Sequence, residues 1–187
     1  MDSVTLHTPR LTLSVPTIAD VDAIHAACQD AEIQKYTTVP TPYLREDAVM
    51  FIGQVVGDWA RGSALIWAIR LEGRLIGMLD LHAVAGGNAT VGYWLEAGER
   101  GRGYLREAMA AVLDFGFADD GLQLARIEWQ AVAGNTASAR AAQALGFHYE
   151  GTLRQSMSTP LGRADAWVAG LLPTDARIPQ PWPVLAD

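Results

Sequence analysis

Residues 91–117 read VGYWLEAGERGRGYLREAMAAVLDFGF, and the pattern changes twice inside them. Val91 to Leu95 is β-branched, aromatic and apolar, the composition of a buried strand. Glu96 to Gly103 carries three glycines and two arginines and predicts a turning loop. From Tyr104 the apolar residues Leu105, Ala108, Met109, Val112 and Leu113 recur at three and four, one face of a helix. A strand that turns through such a loop into a helix is a physical recipe for holding phosphate. First-turn amides have no partner inside the helix and together carry roughly half a positive charge. Gly101 and Gly103 keep the approach open, and Arg100, Arg102 and Arg106 add charge-assisted donors. The stretch predicts a grip on a phosphate-bearing cofactor; the blander reading is a solvated basic turn ahead of a core helix.

What is missing narrows the compound. A P-loop needs Gly-Lys-Ser/Thr entering the helix, and the chain has no Lys-Ser or Lys-Thr. A dinucleotide fingerprint needs a third glycine where Arg106 stands. What remains, Arg100-Gly101-Arg102-Gly103-Tyr104-Leu105, resembles the R/Q-x-x-G-x-G/A signature of the GCN5-related N-acetyltransferases, which there wraps the pyrophosphate of acetyl-CoA. The wording GYWL, then RGRGY, then EA is similar to the ribosomal-protein N-terminal acetyltransferase (RimJ/RimL-like) branch. Leu105 departs from the glycine or alanine of the signature. Backbone amides bind at that position, so a leucine turned into the core is tolerated.

Upstream, Arg74 to Val84 and Ala64 to Leu71 read as a hairpin around a Glu72-Gly73 turn. Ile76-Gly77 and Leu81-His82 match pairs common in the same branch. A helix is expected from about Glu46 to Ala60, with Ala48, Phe51, Ile52, Val55, Val56 and Trp59 on one side. Lys35 to Leu44 reads as loop, fixed by Pro40 and Pro42. Thr17 with Asp20 is a capping-box-like start for a helix whose inward stripe is Val21, Ile24, His25 and Cys28. His25 and Cys28 lack a second pair nearby and read as core filler, so no metal is expected. Val4 to Val15 predicts a first strand, and its TPRLTL resembles the T-x-R-L-x-L opening of the branch.

Downstream, Leu124 to Val132 predicts a fifth strand with Ile127, Trp129 and Ala131 on one side. Asn135 opens a helix with Ala139, Ala142 and Leu145 inward, ended by Gly146. Asn135 to Arg140, closing in Leu145-Gly146-Phe147, is close to the family's N-x-x-S-x-R…L-G-F; Glu150 to Arg154 is similar to its E-G-x-L-R. Arg163 to Leu172 predicts the last strand, so the resemblance runs from about residue 6 to 175. The expected organisation is one domain over 1–175 and a tail over 176–187. Pro179, Pro181 and Pro183 around Trp182 should keep that tail extended, capping the body or crossing to a neighbour, and a homodimer is compatible with it.

With 187 residues, 50% hydrophobic and 19% charged, the chain has the composition of a folded domain. Its net charge of −7 argues against a nucleic-acid binder and makes the loop arginines a local feature. One cysteine excludes an internal disulfide. No signal peptide or membrane span is recognisable, and a cytoplasmic protein is expected.

The resemblance implies an α+β fold, with a mixed, mostly antiparallel sheet of six or seven strands flanked by helices. That sheet is splayed between its fourth and fifth strands. It implies an acyl-CoA-dependent N-acyltransferase, acetyl by default, acting on a primary amine such as a protein N-terminus or a small amine. Succinyl-CoA is the alternative donor, and a non-catalytic CoA- or polyphosphate-binding module is the alternative class. Leu95, Arg100, Gly101, Arg102, Gly103, Tyr104, Leu105, Asn135, Ser138 and Arg140 are the implied cofactor contacts. Ser138, with Tyr149 as rival, is the implied acid at the departing sulfur. Glu96, His82 or no protein group at all is the base.

Overall fold

The strand-forming stretches of the chain join in one sheet. In the computed structural model, which describes residues 2–186, the strand order is β1-β2-β3-β4-β5-β6-β8-β7. The strands are β1 (Leu6–His7), β2 (Leu11–Ser14), β3 (Ala64–Leu71), β4 (Arg74–Ala85), β5 (Asn88–Leu95), β6 (Arg126–Val132), β7 (His148–Thr159) and β8 (Gly162–Leu171). All neighbours are antiparallel except β5 and β6. Met1 and Asp187, the outermost residues of the expected domain and tail, lie outside the described residues.

The sheet has eight strands rather than six or seven because Thr8-Pro9-Arg10 breaks the expected first strand in two. The Thr8 amide donates to the Leu11 carbonyl and the Leu11 amide to Thr8 Oγ1, both at 2.9 Å. The chain reverses there and pairs Leu6 with Leu13. The β3–β4 hairpin lies where the alternation puts it, one residue longer at its end.

Among the described residues five α-helices flank the sheet: α1 (Val21–Ala27), α2 (Ala31–Tyr36), α3 (Arg45–Arg61), α4 (Tyr104–Phe117) and α5 (Thr136–Ala144). The expected loop loses its first two residues to α2, which Asp30 starts by accepting the Ile33 amide at 3.0 Å. Ala48, Ile52, Val55 and Trp59 of α3 are buried as the spacing predicts, but Val56 is 69% exposed. Asp20 accepts the Thr17 amide at 2.7 Å and a two-pronged contact from Arg70 at 2.8 Å, tying the start of α1 to β3. Burial raises the Asp20 pKa, but Arg70 and the Thr17 amide outweigh it and hold the carboxyl below its ordinary value.

Parallel strands need a crossover, and α4 supplies it between β5 and β6. Its apolar stripe, Ala108, Met109, Val112 and Leu113, is fully buried. Trp67 of β3 stands edge-on to Phe115 of α4 at 6.0 Å. Over residues 176–186 the tail has no strand or α-helix, bends at Arg177–Ile178, makes one short turn at Pro183–Leu185 and packs on the body. Trp182 is buried, donates to the Phe147 carbonyl at 3.0 Å and lies 5.3 Å from the Trp129 ring. Among the described residues no helix is long and apolar enough to cross a membrane.

Candidate active site

β5 and β6 pair only from Asn88–Arg126 to Val91–Trp129, and both strands continue beyond without pairing to each other. The splay therefore lies where the resemblance puts it. The Glu96 amide donates to the Ile76 carbonyl at 2.9 Å, so strand alternation turns the amides of Tyr93 and Leu95 toward the gap. A cavity of about 890 Å³ fills this gap, its lining running from the loop before α4 to α2 and α3.

At the loop end, Gly101 (φ +74°) and Gly103 (φ +80°) hold left-handed conformations that a side chain would strain. No atom lies within 4 Å of where a Cβ on Gly101 would stand, so the approach is open. Glu107 is the first residue of α4 whose amide bonds back along the helix, to Gly103 at 3.1 Å, which leaves the earlier amides available. Arg10 fastens this terminus, meeting Glu107 at 2.6 Å and stacking over the Tyr104 ring at 4.5 Å.

The three loop arginines have different partners. Arg100 lines the cavity but is held by Asp30 at 2.8 Å and the Leu95 carbonyl at 3.2 Å. Arg102 is turned to Glu99 at 3.3 Å and lies outside the lining. Arg106 lines the cavity without a carboxylate partner among the described residues. Leu95, Tyr104 and Leu105 also line it, the last only half-buried rather than turned wholly into the core. Arg140 is exposed and outside the lining, a departure from its expected place at the cofactor.

Across the gap, Asn135 caps α5 by accepting the Ser138 amide at 3.1 Å, which fixes Ser138 at the cavity wall. Ser138 Oγ lies 2.8 Å from Tyr93 Oη, and Trp129 Nε1 donates to Tyr93 Oη at 2.9 Å and to Ser138 Oγ at 3.2 Å. Burial pushes the Tyr93 phenol up to about 12, against the pull of the Ser138 and Trp129 hydrogen bonds. Tyr149, the expected rival of Ser138, is not brought to the cavity. Its hydroxyl pairs with Thr152 at 2.8 Å and its ring packs 5.6 Å from Trp182. The phenol beside Ser138 is Tyr93. Its alternation with Val91 and Leu95 was readable, but its partner lies 45 residues away in sequence.

At the α2–α3 end, His82 Nδ1 lies 2.6 Å from Asp80 Oδ1, and both residues line the cavity with Met78 of the same strand. The Asp80 hydrogen bond raises the His82 pKa against the opposing effect of burial. Gly92 faces Asp80 across β4–β5, where a Cβ would stand 2.9 Å from Asp80 Oδ2. Asp80 belongs to none of the motifs in the sequence, although two residues apart on a strand means one face. Glu96 is not brought here. It pairs with Arg74 at 2.6 Å, not with Arg100, and lines a separate pocket beside Ala26, Ala27 and Asp30. Among the described residues no cluster of three or more potential metal ligands occurs, and His25 and Cys28 stay apart from the cavity.

One gap with two differently furnished ends is the plan of an enzyme in which a donor and an acceptor meet, an N-acetyltransferase. The chain belongs to the GNAT family: the acetyltransferase (GNAT) domain matches residues 10–148. The uncharacterized N-acetyltransferase p20 of Bacillus licheniformis is 30% identical over 173 residues, covering 90% of this chain and 96% of that protein. RimL, a ribosomal alpha-N-protein acetyltransferase solved in complex with coenzyme A, superposes with a TM-score of 0.82 at 20% identity, over 90% of this chain and 98% of its own. The microcin self-immunity acetyltransferase MccE, solved with acetyl-CoA and AMP, superposes with a TM-score of 0.79 at 23% identity, over 88% and 93%. These two likenesses concern the fold.

Proposed function

We propose that this enzyme moves acetyl from acetyl-CoA to a primary amine, a protein N-terminus or a small amine, by direct attack with both substrates bound. The observation that carries the reading is the cavity through the β5–β6 gap, with a phosphate-type cradle at one end and a His–Asp pair at the other. The cradle fits the cofactor: Gly101 leaves the approach to the helix terminus open, and Arg106 adds a cation without a carboxylate partner among the described residues. The CoA and acetyl-CoA complexes of the similar RimL and MccE support the same choice. Leu95, Gly101, Gly103, Tyr104, Leu105, Arg106, Asn135 and Ser138 are the residues that would hold it. When bound, acetyl-CoA supplies an activated acetyl carbonyl and a thiol leaving group.

The protein's own part follows from amine chemistry. An acceptor ammonium, with a pKa of about 8 to 10, must lose a proton before its nitrogen attacks. His82 turns Nδ1 to Asp80, which fixes that nitrogen as the donor and leaves Nε2 as the free base. The Tyr93 and Leu95 amides, turned into the gap, are donors for the carbonyl oxygen as negative charge builds on it. Ser138 Oγ is the donor for the sulfur, which keeps the electron pair of the breaking C–S bond. Holding both reactants in one gap is itself a large contribution, since effective molarities reach about 10⁵ M or more.

Calorimetric titration with acetyl-CoA, succinyl-CoA and ATP tests the donor. Micromolar binding of acetyl-CoA with ATP silent is expected; folded protein that binds no acyl-CoA would end the reading, and a preference for succinyl-CoA would change the acyl group. For the base, His82→Ala should lower kcat by roughly 10²-fold or more, while Glu96→Gln leaves the pH–rate profile in place. Turnover and pH profile left intact by both variants would remove the protein base and leave bulk water.

A further inference from the structure

Resting on the CoA reading, we infer that Tyr93, held by Trp129, is a positioning residue that commits the Ser138 hydroxyl to donate toward the leaving sulfur. The argument is a count of protons and lone pairs among three side chains. Trp129 Nε1 can only donate, and it reaches Tyr93 Oη at 2.9 Å and Ser138 Oγ at 3.2 Å. One proton lies between Tyr93 and Ser138 along their 2.8 Å contact, and it can belong to either oxygen.

If Ser138 owns it, Tyr93 Oη accepts from both Ser138 and Trp129 and sends its own proton to the Ser138 carbonyl at 3.2 Å. Nothing then points into the cavity. If Tyr93 owns it, Ser138 Oγ accepts from Tyr93 and Trp129, and the serine hydroxyl is free to turn to the gap. The first state keeps more of the internal contacts, and an anionic acceptor in the gap selects the second, because only that state offers it a donor.

The phenol does not itself give up a proton in this scheme. A group held near 12 stays protonated beside a thiolate whose parent thiol titrates at about 8.5, so the sulfur leaves as a thiolate stabilised by a hydrogen bond. The C–S bond breaks, sulfur keeps the pair, and no co-reactant is needed. This reading also explains why an aromatic N–H, an aromatic hydroxyl and a serine, from β6, β5 and α5 in turn, converge where β5 and β6 part.

The test reads the bound thiol directly. CoA is titrated by the ultraviolet absorbance of its thiolate in complexes with the unaltered protein, Tyr93→Phe and Ser138→Ala, with the desulfo-CoA complex of each as blank. The bound thiol pKa should lie about one unit below 8.5 in the unaltered protein, a tenfold gain in thiolate fraction. Tyr93→Phe keeps the ring and should return at least half of that shift while calorimetry shows CoA still bound, and Ser138→Ala should return more. A bound thiol that Tyr93→Phe leaves unmoved would overturn this inference and leave the CoA reading standing. Failure of the unaltered protein to bind CoA would overturn both.

Discussion

Asp80 and His82 stand together because a strand repeats every two residues, and Gly92 on the next strand leaves the carboxylate room to lie beside the ring. The pair has a pH signature. A histidine pKa raised above its ordinary 6.5 adds stability that is complete below that value and is lost as pH rises through the raised one. Asp80→Asn should therefore destabilise the protein more at about pH 6 than at about pH 9, measured by denaturant melts at both. In turnover the sign matches the proposed role: with the neutral ring as base, Asp80→Asn should move the acid limb of the pH–rate profile downward. Asp80 was legible in principle, since period two alone puts it on the face of His82. Tyr93 was legible only as an apolar strand residue, because no sequence pattern shows that its hydroxyl meets Ser138.

The elements divide along the same line between local and distant causes. The β3–β4 hairpin, the loop into α4 and the capped start of α5 are set by neighbours within a few residues, and the sequence describes them well. The split of the first strand depends on a turn at Thr8 that alternation cannot register, and the exposure of Val56 depends on what α3 packs against. Glu96 reads as a base from its place after β5, yet Arg74, 22 residues upstream, draws it to another pocket. The tail carries the longest-range consequence. Trp182 packs on Trp129, the donor to both Tyr93 and Ser138, so removing its ring should loosen the sulfur end as well as the core. Trp182→Ala should cost about 3–5 kcal/mol of stability by denaturant unfolding, whereas a tail that merely rests on the surface would cost almost nothing. The Asp20–Arg70 clamp makes a parallel case at the other end of the chain. Asp20→Ala strands a half-buried arginine and should cost about 3 kcal/mol or more.

At the scale of the whole molecule, the arrangement is a sheet opened along half of one strand pair, with the loop before α4 and the His82–Asp80 pair both lining the gap. A ligand that spans helix terminus, β5 and α5 ties together parts that otherwise meet only through the core. Acetyl-CoA at a hundred times its dissociation constant should stabilise the fold by about 2.7 kcal/mol, which for a chain of this size raises the melting temperature by roughly 5–10 °C. ATP at the same concentration should raise it far less, because the cradle alone holds only phosphate. The most direct test is a crystal structure of the acetyl-CoA complex. The diphosphate should lie on the amides at the start of α4 beside Arg106, with the thioester between β5 and β6, its carbonyl toward the Leu95 amide and its sulfur within reach of Ser138. A diphosphate seated elsewhere, or a thioester outside the gap, would contradict the account.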